Sequence, residues 1–205
     1  MDTPYHLPDF PHITSIASTA QPLEQFQPIA RVLKVRPLQS VDLAKAADVI
    51  SNSFQIEAAF GGWFRPFFRI GIYEDLRNRL DVQPPEQAIC LVATVGSPAM
   101  EVVGTIEISA RLPIYPTANR RYLYISNLAV DDNYRRLGIG RELVNQCESI
   151  AKKWGFSDIY LHVMADNLAG QHLYSRLGFE VLSSDQPWHI FPWYRPQRLF
   201  LRKRL

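Results

Sequence analysis

The chain has 205 residues, of which 47% are hydrophobic and 20% are charged, with a formal net charge of +2 at pH 7. This length accommodates one domain plus an extension, and the composition is ordinary for a globular protein. The small net charge argues against bulk nucleic-acid binding, which needs a concentrated basic surface. No apolar stretch approaches the ~18–20 residues that cross a bilayer, so no membrane span is predicted.

The cysteines and the N-terminal segment bear on location. Cys90 and Cys147 both lie in apolar patterns, which predicts reduced, buried thiols rather than a disulfide framework. The first residues show no basic region followed by an apolar core, and no Arg or Lys precedes Arg31. These features differ from secretory signals and transit peptides, so the sequence predicts a cytoplasmic protein. No metal site is predicted, and the oligomeric state is left open.

Residues 1–29 are rich in Pro, Ser, Thr and Gln and lack periodicity, which predicts an extended N-terminal arm before a domain at 30–205. Apolar periodicities predict the elements of this domain. Strands are expected at 31–37, 88–95, 101–110, 122–130, 158–164, 179–183 and 198–204. Helices are expected at 42–54, at 63–80, from near Gly140 to Trp154, and at 168–177. The predicted order is β-α-α-β-β-β-α-β-α-β-β.

The strand at 122–130 is apolar on both faces, which is typical of a central strand. Simple alternation places Tyr124, Leu128 and Val130 on one face, and Ile125 and Ala129 on the other. The preceding strand carries Glu107 among apolar residues, and the strand at 158–164 carries His162. Both are candidate proton acceptors. The alternatives left open are that Glu107 faces solvent and that a backbone carbonyl satisfies His162.

A loop rich in glycine and arginine, 134–141, separates the 122–130 strand from the helix that follows. The first backbone N–H groups of a helix lack intrahelical partners, and the helix dipole adds partial positive charge, so such a loop suits a pyrophosphate. Gly138 and Gly140 permit close approach of an anion, and the arginines add permanent charge. A Walker A loop is excluded because no Lys-Ser/Thr follows, and a Rossmann fingerprint because its third glycine is missing.

The spacing Arg135-x-x-Gly138-x-Gly140 resembles the acetyl-CoA signature, (Arg or Gln)-x-x-Gly-x-(Gly or Ala), of the GCN5-related N-acetyltransferase (GNAT) superfamily. Residues 128–130, 159–163, 167 and 173–179 extend the similarity in the same order, from about residue 122 to 180. Within the superfamily the sequence looks most like the protein N-terminal acetyltransferases. One departure is Gly170, where the family usually has Ala; a glycine inside a helix costs about 1 kcal/mol relative to Ala.

The resemblance implies an α/β (α+β) fold of the GNAT type. This fold is a mixed, mostly antiparallel sheet of about seven strands flanked by four helices, with a V-shaped splay at the cofactor site. It also implies acetyl-CoA as cofactor and direct transfer, in a ternary complex, to a peptide or protein amine. The cofactor-binding residues it implies are Leu128, Ala129, Val130, Arg135, Arg136, Leu137, Gly138, Ile139, Gly140, Arg141, Asn167 and Tyr174.

The same resemblance implies the catalytic roles. Tyr124 and His162 would flank the acceptor amine, with His162 as general base, and Tyr174 would give a proton to the departing thiolate. Reference pKa values of ~10 for Tyr and ~8.5 for a thiol allow that last transfer without a large shift. An ordinary histidine, with a pKa near 6.5, suits a base at neutral pH. Glu107 is the alternative base.

The acceptor is predicted from amine chemistry. An α-amine, with a pKa of ~7.7–8.0, is substantially neutral near pH 7.5, whereas a lysine, at ~10.4, is not. This favours N-terminal acetylation and leaves lysine acetylation possible through desolvation. Aromatic segments at 187–196 and 63–69 are expected to wall the acceptor site. Two alternatives remain: a small-molecule amine acetyltransferase, and a non-catalytic sensor that binds acyl-CoA.

Overall fold

The computed structural model describes residues 33–53, 65–81, 87–96, 100–112, 121–185 and 197–205. The predicted arm at 1–29, the aromatic segment at 187–196 and the start of the segment at 63–69 lie outside these residues. The strands are β1 (Lys34–Pro37), β2 (Ala88–Val95), β3 (Glu101–Arg111), β4 (Tyr122–Val130), β5 (Asp158–Met164), β6 (Glu180–Asp185) and β7 (Arg198–Arg204). The helices are α1 (Leu43–Ser53), α2 (Arg65–Asp81), α3 (Ile139–Lys153) and α4 (Leu168–Arg176).

The described strands form one seven-stranded sheet in the order β1-β2-β3-β4-β5-β7-β6. Only the β4–β5 pair is parallel, because α3 crosses over between these two strands. The remaining neighbours pair antiparallel. The predicted order of elements and the predicted fold class, a mixed and mostly antiparallel sheet with four helices, are confirmed.

Helices cover both faces of the sheet and divide the core into two clusters. The helices α3 and α4 pack on one face, and α1 and α2 pack on the other. The first cluster includes Ile125, Leu143, Cys147, Leu161 and Tyr174, and the second includes Ala46, Ile50, Leu76, Val92 and Ala129. Both cysteines are free thiols, Cys147 buried and Cys90 half-buried, as predicted.

The helix α3 ends where the sequence predicts. Gly155 has φ = +79°, a conformation that glycine adopts without a Cβ penalty. The Phe156 N–H donates to the Ala151 carbonyl at 3.0 Å, and the Gly155 N–H donates to the Lys152 carbonyl at 3.1 Å. These two bonds close the helix and fix the direction in which the chain enters β5.

None of the helices in the described residues combines the length and the apolar character that a bilayer crossing requires.

Candidate active site

The strands β4 and β5 separate halfway along the sheet. Leu123–Ile125 of β4 pairs with Ile159–Leu161 of β5. Beyond these residues, β4 stays paired with β3, and β5 stays paired with β7. The Asp131 N–H donates to the Val103 carbonyl at 2.9 Å, which makes the adjacent Val130–Gly104 pair a non-hydrogen-bonded one. The N–H and C=O of Val130 therefore point away from β3 and into the gap. The predicted splay is confirmed, and the Val130 backbone groups on its β4 wall are not bonded to β3.

A β-bulge at Asn127 corrects the predicted face assignment in β4. Ser126 pairs with Glu107 and Ala129 pairs with Thr105, so two residues of β4 oppose one of β3. Asn127 takes φ = +54°, which asparagine tolerates better than most residues.

The bulge reverses the alternation beyond this point of β4. Leu128 and Val130 pack against the core cluster under α3, whereas Ala129 joins the cluster under α1 and α2. The prediction that Leu128 and Val130 share a face with Tyr124 is wrong, because it assumed a regular strand.

The loop after β4 presents bare backbone donors. Arg136 and Gly138 have φ values of +66° and +84°, and Gly138 is the residue before α3. The first intrahelical bond of α3 runs from the Glu142 N–H to the Gly138 carbonyl at 3.0 Å. The N–H groups of residues 139–141 precede that bond and lack intrahelical partners. Together with the helix dipole they form a site suited to an anion.

The two signature glycines are required for different reasons. At Gly138 an added Cβ would meet no atom within 4 Å, so the positive φ is what calls for glycine there. At Gly140 an added Cβ would lie 3.2 Å from Leu173 Cδ2, so glycine allows α4 to pack against the start of α3. This contact places α4 beside the mouth of the gap between β4 and β5.

The arginines of the loop are not equivalent. The Arg135 Nε donates to the Val130 carbonyl at 3.2 Å, and its guanidinium pairs with Asp132 at 2.6 Å. Arg135 thus braces the loop against the end of β4. Arg136 and Arg141 are exposed. Leu137 is also exposed, whereas Ile139 is buried under the sheet, so Ile139 supports the loop from below.

These features fit acetyl-CoA, whose diphosphate is an anion and whose pantetheine arm carries amides. Unpartnered N–H groups and the left-handed residues Arg136 and Gly138 suit the diphosphate. The outward-facing backbone of Val130 suits an amide of the arm, as an added strand would. Two exposed arginines beside the start of the helix, Arg136 and Arg141, supply positive charge.

The predicted catalytic pair is brought together across the gap. The Tyr124 hydroxyl lies 2.8 Å from His162 Nδ1, although the residues are 38 positions apart. His162 also stacks on Phe200 of β7, with ring centroids 4.7 Å apart. The stacking fixes the plane of the imidazole, so that Nδ1 stays directed at the tyrosine. Burial raises the pKa of Tyr124, against the opposing effect of nearby Arg111, so its phenol is protonated at neutral pH.

The predicted catalytic pair belongs to a surface of aromatic residues on β4, β5 and β7, which we call the aromatic platform. It consists of Tyr122, Tyr124, Tyr160, His162 and Phe200. Tyr122 meets Tyr160 edge-on at 5.6 Å, and Tyr160 stacks on Phe200 at 5.5 Å. All five are partly exposed. The sequence analysis found Tyr124 and His162 and missed Phe200, although alternation in β7 places it beside His162.

Tyr174 enters the site from α4, on the opposite face of the sheet from α1 and α2. It is only 7% exposed, and its ring packs edge-on against Phe179 at 5.5 Å. Burial raises the pKa of Tyr174 far above its ordinary value, with smaller contributions from Tyr124 and Cys147. The expectation that Tyr174 passes its proton to a thiolate without a large shift is therefore not supported, because the buried phenol holds its proton more tightly than a thiol does.

Asn167 caps α4 at the mouth of the gap. Its Oδ1 accepts a hydrogen bond from the Gly170 N–H at 2.9 Å, so the cap uses the carbonyl of the side chain and not its NH₂ group. Gly170 is in the first turn, where an added Cβ would lie 2.9 Å from Asn167 Nδ2. The glycine that departs from the family pattern therefore leaves room for the capping side chain. Its cost to helix propensity is offset by this cap.

Glu107, the alternative base, is engaged elsewhere. Its side chain is not exposed to solvent, as one alternative had it; the residue is 3% exposed. The carboxylate pairs with Arg79 of α2, and it accepts a hydrogen bond from Asn127 Nδ2 at 3.1 Å. This network ties α2 and the bulge of β4 to β3. Both carboxylate oxygens are engaged by these two partners, whereas His162 Nδ1 meets Tyr124 at the gap, so the geometry favours His162 over Glu107 as the base.

A cleft of about 390 Å³ lies between α1, α2 and the bulge of β4. Its lining is Ile50, Phe67, Phe68, Gly71, Ile72, Asp75, Leu76 and Asn127. Two of the aromatic residues predicted to wall the acceptor site, Phe67 and Phe68, thus line a cleft on the sheet face that carries Tyr124. The other predicted wall, at 187–196, lies outside the described residues.

Comparison with known proteins decides the family. A family model described as the acetyltransferase (GNAT) family matches residues 55–179. The chain belongs to this family. It is therefore an acyltransferase, and its cofactor is the acetyl-CoA that GNAT enzymes use.

Relatives and solved structures agree with this assignment. The GNAT chain is 29% identical over 174 residues to GCN5-related N-acetyltransferase 10, chloroplastic, of Arabidopsis thaliana, covering 80% of the chain and 68% of that relative. It is 38% identical over 72 residues to N-alpha-acetyltransferase 50 of Danio rerio, covering 35% of the chain and 43% of that relative. The fold matches PaiA N-acetyltransferase of Thermoplasma acidophilum, solved in complex with coenzyme A, with a TM-score of 0.62 and 22% identity over 84% of this chain and 99% of that one.

Proposed function

We propose that this GNAT enzyme transfers the acetyl group of acetyl-CoA to the α-amine of a peptide or protein. The observation that carries the proposal is the 2.8 Å hydrogen bond between Tyr124 and His162, at the point where β4 and β5 separate. The bond lies beside the gap that suits the cofactor, which supports a role for this pair in taking up the proton of the amine. The 38% identity over 72 residues to N-alpha-acetyltransferase 50 of Danio rerio supports the same acceptor.

The cofactor, when bound, supplies the acetyl group as a thioester. Residues 139–141, with Arg136 and Arg141, would hold its diphosphate, and the Val130 backbone and the Asn167 amide would hold its arm. The Val130 N–H would also orient the reacting carbonyl oxygen by donating a hydrogen bond to it. Leu128 and Ala129 shape the β4 wall of the gap, and Ile139 supports the loop from the core side.

The acceptor amine must lose a proton as it attacks. One proton is shared along the bond between the Tyr124 oxygen and His162 Nδ1, so a proton taken up at Tyr124 passes directly to the imidazole. An α-amine needs only this modest base, because its pKa of ~7.7–8.0 leaves much of it neutral near pH 7.5. Lysine, near 10.4, needs further desolvation, so we propose it as a secondary acceptor at most.

Tyr174 would act on the departing sulfur as a hydrogen-bond donor. Because burial raises the pKa of Tyr174, complete proton transfer to a thiolate with a pKa near 8.5 is uphill. A hydrogen bond from the phenol still stabilises the developing negative charge in a buried site. The proton that neutralises the thiolate then comes from solvent or from the protonated Tyr124–His162 pair.

The test is acetyl-CoA turnover on matched peptides. One set has free N-termini and no lysine, a second has blocked N-termini and one internal lysine, and a third set contains small amines. Turnover confined mainly to free N-termini supports the proposal. Turnover of lysine peptides alone, or of small amines alone, would replace it with the corresponding alternative, and saturable acetyl-CoA binding without any turnover would indicate a sensor.

Two further expectations are outside this test. The cytoplasmic location stays a prediction from the sequence, and the chloroplast in the names of several relatives is a property of those proteins. The division into an arm at 1–29 and a domain at 30–205 also stays a prediction.

A further inference from the structure

A guanidinium group lies directly beside the catalytic pair. Arg111, the last residue of β3, places its Cζ 3.8 Å from the centroid of the Tyr124 ring, well within the range of a cation–π contact. Its Nε also approaches Ser109 Oγ at 3.4 Å. These two contacts hold the charge over the ring whose hydroxyl bonds to His162. The sequence analysis did not single out Arg111.

The charge of Arg111 lies at the surface of the described structure. Arg111 is exposed, and in the described part of the chain no carboxylate pairs with it. The nearest buried acid on the same strand, Glu107, is bound to Arg79. On the far side of the platform, Asp158 lies 3.7 Å from Arg202. Both of these acids, Glu107 and Asp158, are thus engaged by cations other than Arg111.

A second cation, Arg198, lies near Tyr124. Arg198, on β7, is an exposed residue whose charge is felt by Tyr124, together with that of Arg111. The guanidinium of Arg111 supplies positive charge directly over the Tyr124 ring. Such a field disfavours a polycationic acceptor, and it favours the neutral form of an amine that approaches Tyr124.

We infer that Arg111 selects acceptors whose first residues after the reactive amine carry a carboxylate. This inference rests on the proposed function, since it assumes that the amine lies at Tyr124 and His162. An extended peptide advances ~3.3–3.6 Å per residue, so a side chain on its second or third residue lies ~7–11 Å from the α-amine. The guanidinium, stacked on the ring of the catalytic tyrosine, is within reach of such a side chain. Arg111 presents a planar fork that matches a carboxylate.

The test compares kcat/KM for three peptides that share a free N-terminus and differ only at positions two and three. These positions carry Glu, Gln or Lys. Wild-type enzyme is expected to prefer Glu over Gln about fivefold, the size typical of an exposed charge pair, and to disfavour Lys. The preference should shrink as ionic strength rises, because the pair is solvated.

Two variants separate a charge effect from a folding effect. Arg111→Gln should bring the Glu-to-Gln ratio close to one, and Arg111→Glu should invert the order so that the Lys peptide becomes preferred. Arg176→Glu is the matched control, since it makes the same change of charge on α4, on the other face of the sheet. It should keep the wild-type ratio.

The outcomes distinguish this inference from the function on which it rests. Turnover of all three peptides with equal kcat/KM, or an unchanged ratio in Arg111→Glu, would overturn the selectivity and leave the N-terminal acetyltransferase intact. Turnover of none of them would overturn both. Inversion of the ratio by Arg111→Glu, with the control unchanged, would establish Arg111 as a specificity-determining residue.

Discussion

Replacing Arg79 by Met should destabilise the protein, because the buried carboxylate of Glu107 then lacks its cationic partner. The Glu107 side chain is 5% exposed, and without Arg79 its remaining described partner is Asn127, at 3.1 Å. Removing one member of a buried ion pair costs about 3–5 kcal/mol. The Arg79 side chain is itself 46% exposed, so water can enter the space it vacates. We therefore expect a loss of about 2–3 kcal/mol in the free energy of unfolding.

A double-mutant cycle in urea at pH 7 measures the coupling. Glu107→Gln should lower the free energy of unfolding by about 1 kcal/mol. The loss is small because Arg79, which then lacks its partner on β3, is half-exposed and keeps its bond to Asp75. The double variant should cost only about 1–2 kcal/mol, since no buried charge remains. The control is Arg69→Met, on the same helix, which breaks a surface pair with Asp48 and should cost less than about 1 kcal/mol.

Additive losses in this cycle, to within about 0.5 kcal/mol, would refute the structural role of the pair. The same variant also tests the choice of base. Glu107→Gln should keep kcat within a few-fold of wild type, because the carboxylate is engaged by Arg79 and Asn127. A fall of about 100-fold or more, without an equal fall in acetyl-CoA affinity, would move the base role to Glu107.

Three further predictions concern single positions. Tyr124→Phe should lower kcat by about 10- to 100-fold with little change in acetyl-CoA affinity, because it removes the hydroxyl that bonds to His162. Tyr122 packs on the same platform, so Tyr122→Phe is the control and should leave kcat nearly unchanged in the same assay. Gly138→Ala imposes a Cβ at φ = +84° and should cost about 1 kcal/mol in urea unfolding while weakening acetyl-CoA binding in calorimetry. Burial would raise the pKa of Asp42, but hydrogen bonds from Arg36 and from the Gln39 N–H outweigh it, so the pKa is lowered. Asp42→Asn should therefore lose about 1–3 kcal/mol in the free energy of unfolding at pH 7, and this deficit should shrink as the pH falls below ~4 towards the lowered pKa. A deficit that stayed constant as the pH fell below ~4 would contradict this cause.

Local sequence patterns predicted the helices and strands, because each of these elements depends mainly on residues that are close in the sequence. Helical spacing from Leu143 to Trp154 and the terminal Gly155 are visible in the sequence, and they locate α3 within two residues. The mixed, mostly antiparallel sheet was predicted from the resemblance and not from periodicity. The Tyr124–His162 pair was likewise predicted through the resemblance, since alternation alone places each residue on a face without saying that the two meet.

Long-range contacts explain what the sequence did not predict. The bulge at Asn127 depends on how β4 registers against β3, and the apolar pattern of β4 is nearly the same on both faces. The Arg79–Glu107 pair joins residues 28 positions apart, and the stacking of Arg111 on Tyr124 depends on the path of the chain after β3. The high pKa of Tyr174 arises from burial, which a single position in a helix pattern does not reveal.

The central claim is that the Tyr124–His162 pair removes the proton of the acceptor amine. The most direct measurement is kcat for a free N-terminal peptide, with acetyl-CoA affinity measured separately, in wild type, His162→Ala and the control His172→Ala on the exposed side of α4. We predict that His162→Ala lowers kcat by about 100-fold or more and changes the acetyl-CoA Kd by less than about twofold, and that His172→Ala changes neither. A His162→Ala enzyme whose kcat stays within a few-fold of wild type would contradict the claim.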